Sequence, residues 1–384
     1  MKISKVAGKI TPSLTRELFN KAQKYNDIID LTLGDPDIQP CQVIKDAAMR
    51  SIDEGRTRYS VNAGLLQLRK SIANQFNREY GLNIDAEENV IVTVGGMEAL
   101  YLSLRCMIDE GDEVIVPAPY YVNYIQMINM CGGKPVIINT LEEDSFSISA
   151  KLIEPYITNK TVAIIINNPS NPTGQILGER DLKEIAELVQ KYDINVISDE
   201  VYKTLLFDGL KHHSIISFEN MIERTVIIDS FSKRYAMTGY RVGYAVAPHR
   251  MIANMTKMQE NVAACVSLPS QYAAIAAIEN CSNDDNICNV FEERCKLMYN
   301  KINEIPKLRC NFPKGTFYLF VNISDTGLES MEFAYKLLEQ KHVAVAPGIT
   351  YGEKYDTYIR IACTLDKTIL MKACEKIEQF INEL

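Results

Sequence analysis

The sequence predicts an α/β protein built around a mostly parallel β-sheet. Short segments rich in valine and isoleucine alternate along the chain with longer segments of helical hydrophobic spacing, which is the pattern of strand–helix–strand units. Residues 162–166 are apolar throughout, as in a parallel strand that is covered on both faces. Polar or glycine-containing motifs follow several of these strands, at the edge where open α/β sheets bind ligands.

Length and composition narrow the class of protein. A chain of 384 residues that is 47% hydrophobic and 23% charged suits a globular protein with one large domain and a smaller one. The net charge of -8 argues against nucleic acid and anionic membranes as partners. The N-terminus lacks the apolar core of a signal peptide, and no apolar stretch is long enough to cross a bilayer. We therefore expect no nucleic-acid partner and no membrane partner.

The cysteines and histidines do not predict a metal site. Ten cysteines and four histidines are present, without a Cys-x-x-Cys motif. Cys281, Cys288 and Cys295 are spaced by seven residues, which predicts one apolar stripe along a helix. Thiols scattered through a chain of this size indicate a reducing cytoplasm.

The first third of the chain contains two glycine motifs. Residues 1–30 are predicted to be polar and helical, and Gly34 follows a short apolar run, where it forms either a ligand-contacting turn or a plain one. Tyr59 precedes an amphipathic helix, and nothing local shows how its hydroxyl is used. The strand over residues 89–94 leads through Gly95 and Gly96 into a helix. Free N–H groups at such a helix start favour a phosphate, although tight strand-to-helix turns look the same.

Three further strands end in polar or aromatic groups. The strand over residues 113–116 leads to Tyr121, which either stacks on a flat ring or packs in the core. After residues 162–167, two Asn-Pro steps predict a fixed turn that allows a cis peptide and aims Asn171. Residues 178–192 form an amphipathic helix. The strand over residues 195–198 ends at Asp199, whose buried acid needs a partner such as a pyridinium N–H or a salt bridge.

The next strand, over residues 225–228, carries the most informative motif. Ser230, Ser232 and Lys233 follow its end, and Arg241 lies eight positions further on. A lysine amine in a dry pocket becomes a nucleophile toward aldehydes. Hydroxyls and an arginine suit a phosphate. An aldehyde that carries a phosphate describes pyridoxal 5'-phosphate (PLP), although a surface loop would contain the same residue types.

The C-terminal third is predicted to alternate helices with short strands. Residues 251–304 are mostly helical, and strands follow near residues 313–320, 343–348 and 358–362. Arg360 lies between apolar neighbours, so it forms either a structural ion pair or a fork for a carboxylate. An amphipathic helix closes the chain.

From Leu33 to Ala362 the chain resembles the class I/II aminotransferases of PLP fold type I, the aspartate-aminotransferase-like family. The most specific motifs are Asn171–Gly174, Asp199–Tyr202, Ser230–Lys233 and Arg360. The resemblance implies a large domain (46–284) with a mostly parallel sheet, and a smaller α/β domain built from residues 1–45 and 285–384. It also implies a homodimer.

The resemblance assigns a role to each candidate residue. The implied catalytic residues are Lys233, Asp199 and Tyr202. Residues implied to bind PLP are Gly95, Gly96, Met97, Tyr121, Asn171, Asp199, Tyr202, Ser230, Ser232, Lys233, Arg241 and, from the neighbouring subunit, Tyr59. Residues implied to bind the substrate are Gly34, Asn171 and Arg360.

The implied reaction is a ping-pong transfer of an amino group from an L-amino acid to a 2-oxo acid, with 2-oxoglutarate as the expected acceptor. Some aspartate-using relatives have a lysine where this chain has Met97, so both aspartate and a neutral or aromatic donor stay open. Ser13, Thr15 and Lys9 are further candidates for contacts with the donor. A PLP β-lyase would use the same cofactor residues. A regulator fused to a DNA-binding domain would need an extra N-terminal module, for which only about 45 residues are present.

Overall fold

The computed structural model describes residues 1–12, 14–22, 24–281 and 284–384. The α-helices are α1 (Lys5–Lys9), α2 (Leu14–Ala22), α3 (Gln42–Asp53), α4 (Leu66–Tyr80), α5 (Gly95–Met107), α6 (Asn123–Met130), α7 (Ala150–Ile153), α8 (Glu179–Lys191), α9 (Phe231–Arg234), α10 (His249–Val262), α11 (Leu268–Asn280), α12 (Asp284–Glu304), α13 (Ser330–Lys341) and α14 (Lys367–Asn382). The β-strands are β1 (Ile29–Asp30), β2 (Val90–Thr93), β3 (Glu113–Ala118), β4 (Lys134–Asn139), β5 (Thr161–Asn167), β6 (Asn195–Asp199), β7 (Thr225–Ser230), β8 (Gly243–Val246), β9 (Arg309–Cys310), β10 (Tyr318–Asn322), β11 (Val343–Ala344), β12 (Ala346–Pro347) and β13 (Tyr358–Ala362).

A seven-stranded sheet forms the centre of the molecule. Its strand order is β2-β8-β7-β6-β5-β3-β4, and only β8 runs opposite to the others. The central strands β6 and β7 are almost wholly buried, because apolar clusters cover both faces of the sheet. The strands that run in the same direction end at one edge of the sheet, and they include β2, β3, β5, β6 and β7. The polar groups that follow these strands are therefore brought together.

A second, antiparallel sheet of four strands has the order β12-β13-β10-β9. β1 pairs in parallel with β11, and Leu18 and Ala22 of α2 join the apolar cluster around this sheet. The N-terminal segment thus packs on the C-terminal part of the chain. Phe320 and Arg360 are register partners on β10 and β13.

The predicted alternation of strands and helices is confirmed, with local differences. Helix α3 and strand β4 of the main sheet were not predicted from the sequence. The single cysteine stripe is wrong, because Cys281 follows the end of α11 while Cys288 and Cys295 lie on α12. Both Asn-Pro bonds of the turn, Asn168-Pro169 and Asn171-Pro172, are cis. Within the described ranges, we find no helix that is both long and apolar enough to span a membrane.

Candidate active site

A cavity of about 850 Å³ opens at the edge where the parallel strands end. Most of the candidate residues line it, namely Gly34, Gly96, Met97, Tyr121, Asn171, Asp199, Tyr202, Ser230, Ser232, Lys233, Arg241 and Arg360. Gly95 and Tyr59 do not line it. Gly95 begins α5 directly before Gly96, whereas Tyr59 is 87% exposed on the surface.

Lys233 places its amine inside this cavity. It lies on α9, a short helix that begins where β7 ends and is capped by the Ser230 hydroxyl. The lysine Nζ donates a hydrogen bond to the Gly34 carbonyl oxygen at 2.6 Å. Burial lowers the pKa of Lys233, which increases the fraction of neutral amine at a given pH. The amine is therefore suited to act as a nucleophile and as a base.

Gly34 can occupy this position only because it has no side chain. A Cβ atom there would stand 1.8 Å from the Tyr318 hydroxyl oxygen. The neighbouring residue Asp35 accepts a hydrogen bond from the Thr238 hydroxyl at 2.7 Å. The loop around Gly34 therefore lies across the cavity and contacts the segment that precedes Arg241.

Asp199 ends strand β6 as a buried carboxylate. Tyr124 donates a hydrogen bond to its Oδ2 at 2.5 Å, and the Val201 N–H lies 3.4 Å from Oδ1. Burial raises the pKa of Asp199 to about 6, and the hydrogen bond from Tyr124 opposes this rise. An acid in this environment is stabilised as a carboxylate by a cationic N–H partner.

The start of α5 and the residues around α9 form a candidate anion site. Helix α5 is long enough to present a helix dipole, and its first N–H groups lack intrahelical acceptors. A Cβ atom on Gly95, whose φ is +74°, would lie 2.7 Å from Arg241 Nη2. The Ser230 hydroxyl donates to Ser232 Oγ at 2.8 Å. A guanidinium, two hydroxyls and a helix start are the donor set that a phosphate requires.

Asn171 and Tyr202 also line the cavity. The Asn171 backbone N–H donates to Asn167 Oδ1 at 2.7 Å, which fixes the turn after β5. The Tyr202 hydroxyl lies 3.1 Å from the Tyr318 hydroxyl. Burial raises the pKa of Tyr202 well above its ordinary value, so its hydroxyl stays protonated.

Arg360 on β13 points into the same space. Its Nη1 donates to Asn171 Oδ1 at 3.0 Å, and its Nη2 donates to the Thr32 carbonyl oxygen at 2.5 Å. The guanidinium also packs over the rings of Tyr318 and Tyr351, at 4.2 and 5.2 Å. Its buried Nε has no hydrogen-bond partner in the described part of the chain. A buried guanidinium N–H without a partner is available to an acceptor such as a carboxylate.

The remaining wall carries no positive charge. The Asn123 amide and the Tyr121 hydroxyl lie 3.4 and 3.6 Å from the Met97 sulfur. Thr15 also lines the cavity. Ser13 and the side chain of Lys9 lie outside the described part of the structure. The lining cations are Lys233, Arg241 and Arg360 within the described ranges.

The sequence analysis missed Tyr318, Tyr351 and Tyr124 as site residues. Tyr318 contacts both Tyr202 and Arg360, and Tyr351 lines the cavity. Tyr318 begins strand β10 and Tyr351 ends a short 3-10 helix, and neither belongs to a local sequence motif that would have marked it. Tyr124 belongs to the aromatic segment after β3. The available signal for it was the buried acid Asp199, which needs a hydrogen-bond donor.

The residues fit PLP on chemical grounds. A buried amine, an anion site, a buried carboxylate and a vacant guanidinium nitrogen share one cavity. These groups match the aldehyde, phosphate and ring nitrogen of PLP and the carboxylate of an amino acid. The arrangement can therefore hold an amino acid while the lysine amine exchanges a proton with it.

Comparisons with known proteins agree with this chemistry. The family model described as "Aminotransferase class I and II" matches residues 26–377. The chain is 36% identical to aromatic-amino-acid aminotransferase 2 of Thermococcus litoralis, with 97% of each chain covered. It is 38% identical to the aspartate aminotransferase of Bacillus subtilis, with 100% of each chain covered.

Solved structures show the same fold. The aromatic aminotransferase of Pyrococcus horikoshii superposes with a TM-score of 0.90 at 38% identity, over 95% of this chain and 99% of that one. The expected fold, PLP fold type I with a mostly parallel sheet, is confirmed, and so is the expected aminotransferase function. The chain is an aminotransferase and belongs to the family of class I and II aminotransferases.

Proposed function

We propose that this aminotransferase binds PLP at Lys233 and moves an amino group from an L-amino acid to a 2-oxo acid, with 2-oxoglutarate as acceptor. The observation that carries the proposal is the buried Lys233 amine, which shares one cavity with Asp199, Arg241 and Arg360. One site that alternates between amino-acid and oxo-acid substrates accounts for ping-pong transfer. Since both kinds of substrate have a carboxylate beside the reacting carbon, one guanidinium serves both.

Lys233 carries the proton transfer. When bound, PLP withdraws electrons from the Cα–H bond of the amino acid joined to it. The Lys233 amine, with its pKa lowered by burial, would take the proton from Cα and return it to the former aldehyde carbon of the cofactor. Arg360 binds the α-carboxylate, and the loop at Gly34 covers it. These contacts orient the Cα–H bond toward the Lys233 amine.

The other cavity residues hold the cofactor in place. Asp199 pairs with the ring nitrogen, and Asn171 and Tyr202 donate hydrogen bonds to the phenolic oxygen. Tyr121 packs on the ring face. The phosphate is bound by the group formed from Gly95, Gly96, Met97, Ser230, Ser232 and Arg241. Because these groups come from separate strands of one rigid sheet, they are preorganised for the cofactor.

The donor with the best fit has a neutral or aromatic side chain. Lys233, Arg241 and Arg360 are already engaged by the proton transfer, the phosphate and the α-carboxylate. A second carboxylate would need a further cation, and Met97 with Asn123 supplies only a thioether and an amide. Relatives at similar identity are named for aspartate and for aromatic amino acids. The residues that face the donor side chain, Met97 and Asn123, therefore decide between these donors.

Replacing Met97 by lysine tests this assignment. We expect M97K to raise kcat/KM for aspartate relative to phenylalanine by about 10- to 100-fold, since a charge-assisted hydrogen bond contributes about 1.5–3 kcal/mol. M97L keeps the wall apolar and should leave the ratio unchanged. Steady-state rates with 2-oxoglutarate as acceptor measure both variants. An unchanged ratio in M97K would place the donor side chain elsewhere.

The active unit is a homodimer in this proposal. Tyr59 is exposed and lies outside the cavity of its own protomer, so its hydroxyl is available to reach the phosphate in a partner. Met49, Ile52 and Val61 are exposed apolar side chains near Tyr59 in the sequence, and an interface would cover such groups.

Replacing Tyr59 by phenylalanine tests this contact across the interface. We expect Y59F to remain a dimer and to bind PLP on the order of tenfold more weakly, because one hydrogen bond to a charged phosphate is lost. Y192F is the control, since Tyr192 is an exposed tyrosine that bonds to Glu154 at 2.8 Å. Cofactor titration and sedimentation provide the measurements. A Y59F protein with unchanged PLP affinity would remove Tyr59 from the cofactor site.

The proposed domains are divided so that one contains the seven-stranded sheet and the other contains the four-stranded sheet. We propose a large domain over 46–284 and a small domain over 1–45 and 285–384. The pairing of β1 with β11 supports joining the two termini. We also propose a cytoplasmic location, because the ten cysteines, six of them buried, suit a reducing compartment.

Product analysis tests the proposed reaction against β-elimination. The relatives reported above are named aminotransferases. The holoenzyme with an amino donor and 2-oxoglutarate should release one 2-oxo acid for each glutamate formed. Ammonia and pyruvate formed without an acceptor would instead identify a lyase.

A further inference from the structure

A cluster of charged side chains lies outside the lining of the cavity. Lys203 Nζ is 3.1 Å from Asp229 Oδ2 and 3.9 Å from Glu79 Oε2. The side chains of Lys203 and Asp229 are only 4% and 7% exposed. The Lys203 ammonium also lies 4.2 Å from the centre of the Phe76 ring. Since a buried charge needs a partner, Lys203 and Asp229 compensate each other.

This ion pair joins the two strand ends that carry the catalytic groups. Asp229 directly precedes Ser230, and its Oδ1 accepts the Ser230 backbone N–H at 2.6 Å. Its Oδ2 accepts the Tyr244 hydroxyl at 2.6 Å. Lys203 directly follows Tyr202, in the turn after the neighbouring parallel strand β6. The pair therefore fixes the start of the turn that presents Lys233 relative to the segment that presents Asp199 and Tyr202.

The two charges also act on the cavity through space. Burial is the main cause of the raised pKa of Asp199 and of Glu200, and the Asp229 carboxylate adds to both. Lys203 opposes this by lowering the pKa of Glu200. The pair as a whole is neutral, so its field at the cavity is smaller than that of either charge alone.

We propose that Lys203 and Asp229 form a positioning pair for the cofactor site, in which Asp229 orients Ser230 while Lys203 balances the Asp229 charge beside Asp199. The proposal rests on the assignment of PLP to this cavity. It gives two buried charges outside the cavity a role in cofactor binding. Neither residue touches the substrate.

The pH midpoint of the visible absorption band of the holoenzyme reports this balance, because the nitrogen that joins PLP to Lys233 titrates. K203M leaves the Asp229 carboxylate alone, which favours the protonated nitrogen and should raise the midpoint by about one unit. D229N leaves the Lys203 ammonium alone and should lower it by about one unit. The double variant should return close to the wild-type midpoint. Loss of packing alone does not produce opposite shifts that cancel.

Other titratable groups near the pair are Glu79, Glu200, His212 and Tyr80, and they remain in every variant. Tyr244, which donates to Asp229, remains in every variant except Y244F. These groups therefore contribute the same background to the titrations of K203M, D229N and the double variant. We expect both single variants to bind PLP on the order of tenfold more weakly and the double variant to recover most of this loss, since an unpaired buried charge is the main cost.

Three further variants separate the proposal from general destabilisation. K203R keeps the charge and should keep the wild-type midpoint. K134M breaks the 2.9 Å ion pair with Glu113 at the opposite edge of the same sheet and should not shift it. If D229N gives no stable holoenzyme, Y244F takes its place. This variant removes one hydrogen-bond donor from Asp229 and leaves the carboxylate charge less compensated, so it should raise the midpoint, as K203M does.

Shifts of the same sign in K203M and D229N, or no shift in either, would overturn the proposal. So would a lowered midpoint in Y244F. A wild-type protein that develops no visible band with PLP would contradict the cofactor assignment itself. A normal wild-type band with unshifted variants would contradict this proposal alone.

Discussion

A protein in which Lys233 is replaced by alanine is expected to lose amino transfer by at least about 10³-fold, because general acid–base catalysis alone contributes about 10²–10⁴. The amine that attacks the cofactor aldehyde and the base that takes the Cα proton are the same atom in this site. Lys203, which lies in the turn after the central strand β6, does not line the cavity. It cannot replace Lys233.

The comparison with K233R separates charge from basicity. A guanidinium stays protonated at any working pH, so K233R keeps the positive charge but should be as inactive as K233A. Both variants should retain PLP through the protein groups that bind its phosphate, but they should lose the covalent link. Dialysis measures the retention, and the absorption spectrum measures the link. Transamination that persists in K233A at more than a few per cent would contradict the assignment of Lys233.

A protein in which Arg360 is replaced by methionine should lose roughly 10²–10⁴-fold in kcat/KM, because two charge-assisted hydrogen bonds to the α-carboxylate contribute about 1.5–3 kcal/mol each. The loss should be similar for every amino donor and every 2-oxo acid, since all share this carboxylate. PLP should still bind to R360M in the absence of substrate, because Arg360 contacts Asn171 and Thr32 rather than the phosphate site.

Two control variants accompany R360M. R360K keeps the charge but loses the planar fork, so its kcat/KM should fall between wild type and R360M. R69M removes another buried arginine, one that binds the backbone oxygens of Gly64, Ala86 and Glu87. R69M should lower stability without changing KM. If R360M affects one donor but not another, Arg360 binds a side chain and not the α-carboxylate.

The parts of the site that lie at strand ends were predictable from the sequence. Gly96, Asn171, Asp199 and Lys233 each follow a short apolar segment, and the carboxyl ends of parallel strands must meet at one edge. Local pattern and global fold therefore agree at these positions. The prediction of an α/β sheet follows from the same periodicity.

The remaining parts depend on contacts between distant segments. Arg360 meets Asn171 across a separation of 189 residues, and Tyr318 meets Tyr202 across 116 residues. No local pattern reports such pairings, because they arise when the small sheet packs against the large one. Strand β4 was missed for a different reason, since its first two residues, Lys134 and Pro135, are of types that strands disfavour.

The central claim is that a lysine-bound PLP in this cavity accepts an amino group. Its most direct test is the absorption spectrum of the purified holoenzyme during addition of L-glutamate, L-phenylalanine and L-aspartate in turn, without any acceptor. We predict a visible band that converts to the pyridoxamine 5'-phosphate spectrum with release of one 2-oxo acid per site, and faster conversion with phenylalanine than with aspartate. A band that persists, or the absence of any band after PLP is added, would contradict the account.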